Sequence, residues 1–295
     1  MAEEARADDP AGLVAQLIYL LDVEEIDTDL YRGRRQPEGV GRVFGGQVIA
    51  QALQAAQRSV EAPKVAHSLH AYFMRAGSED YPIIYRVVRD FDGRSFANRR
   101  IIAMQRGKPI LNMIASFHSP ERGLAHQVPM PDVPPPDALR SETELREEIA
   151  DKVPEKLKRF FLRARPIEIR PCDPRDWFAP TPQEPVQHSW FRVAAPLPDN
   201  PALHRAMLAY ASDMTLLGTC LLPHGVNWIS GKVQTASLDH AVWLHGDFRF
   251  DEWLLYTADS PWSGGARGFN RGRIYTRAGK LVANVAQEGL IRQRD

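Results

Sequence analysis

The chain has 295 residues, 44% of them hydrophobic and 25% charged, with a formal net charge of zero. This is ordinary globular usage, with room for one large core or two domains of roughly 100–150 residues, and nothing in it argues for a nucleic-acid-binding surface. Two cysteines, Cys172 and Cys220, are too few for a disulfide scaffold and lack metal-ligand spacing, so free thiols in a reducing compartment are expected.

The acidic opening MAEEARADDP contains no apolar stretch and does not read as a secretory signal. No apolar run approaches the roughly 20 residues of a bilayer span, and the terminal Arg292-Gln293-Arg294-Asp295 is not a peroxisomal address. These readings lead to the expectation of a cytoplasmic protein with no membrane partner. Leu13, Leu17, Leu20 and Leu21 share one face of a helix predicted over residues 13 to 22, and residues 30–36 read as a short strand. Gly45-Gly46 is a turn signal ahead of an Ala- and Gln-rich helix over 48–60, whose apolar positions run nearly all round and so predict burial.

The period then changes. HSLHAYFMRAG and the segment from Pro82 to Ser119 read as strands, with Asp92-Gly93 and Arg106-Gly107-Lys108 as turns. One buried helix followed by an antiparallel meander predicts an α+β unit with the helix laid on the sheet. Residues 128–140 are Pro-rich and read as a linker. Ser141-x-x-Glu144 is a capping box that opens a charged helix to about residue 149, and a second helical piece covers 155–162. Residues 166–185 are again Pro-rich and carry no assignment. Thereafter VQHSWFRVAAP reads as a strand and ALHRAMLAYASDMTLLGTCL as one apolar helical stretch. SLDHAVWLHG, EWLLYTADS and the segment from Ala266 to Arg292 read as strands.

The two halves can be overlaid. Ser68-Leu69 to Gly77 matches Ser237-Leu238 to Gly246, and Ile83-Ile84-Tyr85 matches Leu254-Leu255-Tyr256. Arg94-x-Phe96 matches Arg267-x-Phe269, while Arg99, Ile102, Gly107, Lys108 and Asn112 match Arg271, Ile274, Gly279, Lys280 and Asn284. The common order and near-constant offset imply an internal duplication, with units at 1–125 and 186–295 joined by a linker with a charged helix at 126–185.

The segments VFGGQVIAQAL, HSLHAYFMRAG, GKPILNMIASF, LAYASDM, SLDHAVWLH, DEWLLYTADS, ARGFNRGRIYTRAGKLVA and QEGLIR resemble the type II acyl-CoA thioesterases, the double-hotdog family, over residues 13 to 292. The resemblance implies an α+β double hotdog, two fused units that each wrap an antiparallel sheet around a long helix. It also implies hydrolysis of acyl-CoA to free acid and CoA without a metal or organic cofactor, and a homo-oligomer joined through its sheets. The family's catalytic set falls on Asp213 in YASDM, Ser237 in TASLDH and Gln287 in VAQEG. In the first copy Ala115 stands opposite Gln287, and the glycines near Gly46 take the approximate place of Asp213, so one active site per chain is expected.

A thioester is already a fair electrophile with a good leaving group. Its hydrolysis needs a placed water, a base for it and donors for the oxyanion. Asp213 suits the base, and Ser237 and Gln287 suit the holding of water and carboxylate. Gly45, Gly46 and Gln47, at a helix N-terminus, suit the thioester oxygen. Arg267, Arg271 and Arg273 alternate along a strand and either meet CoA phosphates or form a solvated face. His67 and His70 lack metal spacing and read as structural. Asp239-His240 raises an acyl-serine route through Ser237, but no G-x-S-x-G elbow is present, and strand alternation would turn His240 away from Ser237. Two other readings remain: a non-catalytic acyl-CoA sensor, and an enoyl-thioester hydratase, for which no histidine stands convincingly near the Asp.

Overall fold

A computed structural model describes residues 9–36, 39, 41–227, 229 and 231–294. Residues 1–8 of the acidic opening, read above as no signal, and the terminal Asp295 lie outside the described residues. The first half runs α1 (Pro10–Leu21), β1 (Val23–Asp27), β2 (Leu30–Gly33), α2 (Gly45–Arg58), β3 (Val65–Phe73), β4 (Ile84–Asp92), β5 (Phe96–Gln105) and β6 (Lys108–His118). The connection carries α3 (Glu142–Glu148) and α4 (Glu155–Phe161). The second half runs β7 (Ile167–Pro171), β8 (Val186–Val193), α5 (Pro201–Ser212), a 3₁₀ helix (Leu216–His224), β9 (Val233–Ser237), β10 (Asp239–Leu244), β11 (Leu254–Gly264), β12 (Arg267–Thr276) and β13 (Leu281–Gln293).

All the strands join one 13-stranded sheet in the order β1-β2-β4-β5-β6-β3-β10-β13-β12-β11-β8-β7, with β9 paired to β13. Read outward from the antiparallel β3–β10 seam, the two sides repeat each other strand for strand, as the overlaid motifs predict. The Arg106-Gly107 turn has both residues at positive φ, as a two-residue hairpin loop requires. The expected antiparallel sheet with buried helices is present.

α2 is buried all round, through Val48, Ile49, Leu53 and four alanines at 4% exposure or less. Its small residues let it lie against α5. At their meeting point a side chain on Gly46 would collide with the carbonyl oxygen of Tyr210, so only glycine allows the backbones to approach this closely.

Four sequence readings need correction. Gly45 and Gly46 are not a turn ahead of α2 but its first turn, because Phe44 is the N-cap. The stretch 201–224 is long and apolar enough to cross a membrane by length and composition, contrary to the reading that no run reaches that size. It is broken at Asp213 into α5 and the 3₁₀ helix, and 67% of its apolar window is buried inside the fold. The linker does not extend to 185, because β7 already pairs with β8 as the edge of the second half. Arg99 and Arg271 are not equivalent in space: Arg99 is buried, whereas the Arg271 side chain is 56% exposed.

The linker has no regular structure before residue 136, but it holds to the outer face of the second half. Gln127 bridges Gly279 O and Leu281 N, and Trp190 Nε1 donates to Pro134 O at 2.9 Å. Met130 and Val133 pack on a cluster of Trp190, Trp253, Leu255 and Tyr275. Ser141 and Glu144 form the predicted capping box of α3.

Candidate active site

α5 opens on the Asn200 cap with Pro201 in its first turn and ends at Asp213, whose φ of −85° and ψ of −9° complete the last turn. Tyr256 Oη donates to Ser212 O at 3.0 Å and so satisfies a carbonyl that the helix end leaves open. The carboxylate of Asp213 projects at the N-terminus of α2. That helix has no side-chain cap of its own, and the N–H of Gly46 donates to Asp213 instead. The positive end of the α2 dipole therefore faces a buried carboxylate.

The three residues expected to act together do meet. Gln287 Nε2 donates to Asp213 Oδ1 at 2.6 Å and lies 3.1 Å from Ser237 Oγ. Ser237 Oγ donates to the same Oδ1 at 3.4 Å, longer than an ordinary O–H···O bond. Asp213 is 9% exposed and Gln287 fully buried. Burial pushes the Asp213 carboxyl up from 3.8 to about 6, against the opposing pull of Gln287, Gly46 and Ser237. A group titrating there can take and release a proton near neutral pH.

Gly45 and Gly46 are beside the carboxylate. A Cβ on Gly45 would stand 2.7 Å from Asp213 Oδ2. Gln47 is buried at 3% exposure, and its backbone N–H goes to Phe44 O at 3.1 Å. Arg267 and Arg271 are not brought to the site. They lie on the solvent face of β12, paired with Glu288 at 3.1 Å and Asp259 at 2.7 Å, whereas Asn270 between them points inward opposite Gln287. His67 bonds Ser116 Oγ at 2.8 Å, and His70 packs edge-on against Trp243. Both are in β3, apart from Asp213, Ser237 and Gln287.

His240 is the residue the sequence argument turned the wrong way. It is fully buried, its Nδ1 is 3.1 Å from Gln287 Nε2 and 3.9 Å from Asp213 Oδ1, and its Nε2 is 2.8 Å from Ser212 Oγ. A histidine therefore does stand near Asp213. Burial lowers its pKa to about 3, so it is neutral and forms no ion pair with the carboxylate. Among the described residues, no group of three His, Cys, Asp or Glu side chains is gathered as for a metal ion.

The acyl-CoA thioesterase family model matches residues 157–290, and the model of the acyl-CoA thioesterase N-terminal domain matches residues 34–118. Human acyl-coenzyme A thioesterase 8 is 40% identical over 296 residues, covering 97% of this chain and 92% of its own. The crystal structure of acyl-CoA thioesterase II TesB2 from Mycobacterium marinum is 40% identical, covers 96% of this chain and 99% of its own, and superposes with a TM-score of 0.77. A protein of Alicyclobacillus acidocaldarius described as having a hot dog fold is 19% identical, with a TM-score of 0.74 over 94% of this chain and 98% of its own, a likeness of fold alone. With both halves matched in order and a relative this similar along nearly its whole length, the chain belongs to the acyl-CoA thioesterase family.

Proposed function

We propose that the protein hydrolyses acyl-CoA thioesters with Asp213 as general base and no covalent intermediate. The observation that carries this reading is the meeting of Asp213, Ser237 and Gln287 around one carboxylate oxygen. In the proposed step a water oriented by Ser237 and Gln287 attacks the thioester carbon and gives its proton to Asp213. The oxyanion forms near the N-terminal turn of α2, where Gly45, Gly46 and Gln47 keep side chains clear or buried and the helix dipole favours negative charge. Collapse breaks the C–S bond. The CoA thiolate leaves, takes the proton from Asp213 and restores the carboxylate. No bond to Ser237 is needed, and His240 cannot serve as its base, because both ring nitrogens are engaged elsewhere.

The test is release of free CoA, read with a thiol reagent, from a panel of acyl-CoA thioesters of different chain lengths. Gln287→Ala and Ser237→Ala should lower kcat non-additively, since both would act on one water. Binding without thiol release would instead indicate a sensor. A change in enoyl absorbance would indicate a hydratase, the reading that the nearness of His240 to Asp213 favours. A trapped acyl-Ser237 would refute the direct attack of water.

We further propose work in fatty-acid metabolism in the cytoplasm, a compartment that suits the free Cys172 and buried Cys220. We also propose a homo-oligomer. The linker packs Met130 and Val133 on the outer face of the second half, whereas Tyr72 and Ile114 on the first half are 65% and 51% exposed. Light scattering would report the oligomer, and Tyr72→Glu with Ile114→Glu should dissociate it.

A further inference from the structure

The proposed reaction leaves one buried chain of groups without a task. Ser212 Oγ donates to Ala209 O at 3.0 Å, so its hydrogen is committed. Its oxygen can then only accept from His240 Nε2, 2.8 Å away. The ring hydrogen is therefore on Nε2, and Nδ1 presents a bare lone pair to Gln287 Nε2 at 3.1 Å. Gln287 Oε1, by contrast, is buried and meets no donor among the described residues. An orphaned buried acceptor costs about 1–3 kcal/mol, so the amide would turn over unless its three Nε2 partners, Asp213, Ser237 and His240, held it.

One of those partners, Asp213, changes during turnover. When it carries the proton of the attacking water it no longer demands an N–H. The lone pair of His240 does not change, because the ring is sealed from solvent and stays neutral. Resting on the reading of Gln287 as a catalytic group, we propose that His240 and Ser212 are positioning residues: a tautomer lock that keeps the Gln287 amide nitrogen turned toward Asp213 and Ser237 while Asp213 gains and loses its proton.

The lock also sets the charge environment of Asp213. Among the described residues, the other titratable groups coupled to that carboxyl are Tyr210 and Tyr256, both held neutral by burial, and the first turn of α2 brings no charged side chain. Loss of the Gln287 donor therefore moves Asp213 upward. His240→Leu should lower kcat by roughly 10–100-fold, the range seen when a group orienting a catalytic ligand from behind is removed. KM should change little, and the acidic limb of the kcat profile should move to higher pH. His240→Asn, which can present an amide oxygen where Nδ1 stood, should recover part of kcat and return the limb toward the wild-type position. Ser212→Ala frees the ring to take the other tautomer and should shift the limb the same way as His240→Leu, and it keeps the test open where His240→Leu does not fold. The lock is refuted if the folded variants keep wild-type kcat and pH profile, or if His240→Asn is no better than His240→Leu. Gln287→Ala separates the two ideas. If it retains full activity, the catalytic reading itself fails. If it is inactive while His240→Leu and Ser212→Ala are normal, only the lock fails.

Discussion

Asp213→Asn should separate what the fold loses from what the chemistry gains. The carboxyl is raised from 3.8 to about 6 chiefly by burial, which corresponds to about 3 kcal/mol of preference for the protonated form. A group whose folded pKa lies above its unfolded value contributes stability that is present below about 3.8 and lost as pH rises through about 6. Above that range the wild-type fold carries the full cost of a buried charge, while asparagine carries none of it. The stability of Asp213→Asn relative to wild type should thus climb by up to about 3 kcal/mol between pH 4 and pH 7, as the other groups cancel in the difference. Denaturant melts of both proteins in half-unit steps of pH would measure this, with kcat recorded on the same samples. Wild-type kcat should rise with pH on an acidic limb near 6, and the variant should be nearly inactive throughout. A stability difference that is flat across that range, or that favours wild type increasingly as pH rises, would refute the buried, proton-exchanging carboxylate.

Arg267→Ala and Arg271→Ala should leave KM for acyl-CoA within about twofold and stability within about 1 kcal/mol, because exposed ion pairs are weak; a tenfold rise in KM would place the outer face of β12 in the path of CoA. Gly46→Ala should cost about 1–3 kcal/mol by overpacking against Tyr210 and also lower kcat, as its N–H loses its place on Asp213; unchanged melting and activity would refute the close approach of the two helix ends. Arg99→Ala should destabilise by about 3 kcal/mol or more through loss of buried hydrogen bonds, yet leave kcat per folded molecule unchanged; a loss of kcat without loss of stability would mean that the first half holds a working site.

Much of this was legible in the sequence because it rests on local chemistry. The helix over α2 follows from a run of alanines and glutamines, the α3 cap from Ser141 and Glu144, and the strand repeats from evenly spaced motifs. Face was harder than element. Ser237 and His240 are three apart, and simple alternation puts them on opposite sides of a sheet. Yet Ser237 pairs with Gly289 in the β9–β13 register, whereas Ala241 pairs with Ala286 in the β10–β13 register. The two registers differ by one residue, and a one-residue shift exchanges the faces. A like shift separates Arg99, which lies opposite Ala115, from Arg271, which lies opposite Ala286 rather than Gln287. No residue type in either stretch announces such a slip. It is decided by strands that lie far apart in the chain.

The helix ends bear on the proposal of one site per chain. Asp213 ends α5, and the residue that ends α2 is not a glycine near Gly46 but Ser59. Gly45 and Gly46 are at the opposite end of α2, where they face Asp213 instead of replacing it. In the overlay Ser68 keeps the hydroxyl of Ser237, but Ala71 stands for His240 and Ala115 for Gln287. The space around Ser59 is filled by Arg99, whose guanidinium donates to Ser59 Oγ at 2.8 Å and Ser59 O at 2.9 Å and pairs with Asp92 at 2.6 Å. A fixed cation whose donors are met by Ser59 and Asp92 can stay buried there. The first copy thus supplies a rigid half of the sheet and a helix N-terminus, and the second supplies a carboxylate that the N-terminus holds partly ionised. Under the proposed mechanism the two parts come from different halves, and the site lies where α2 meets α5.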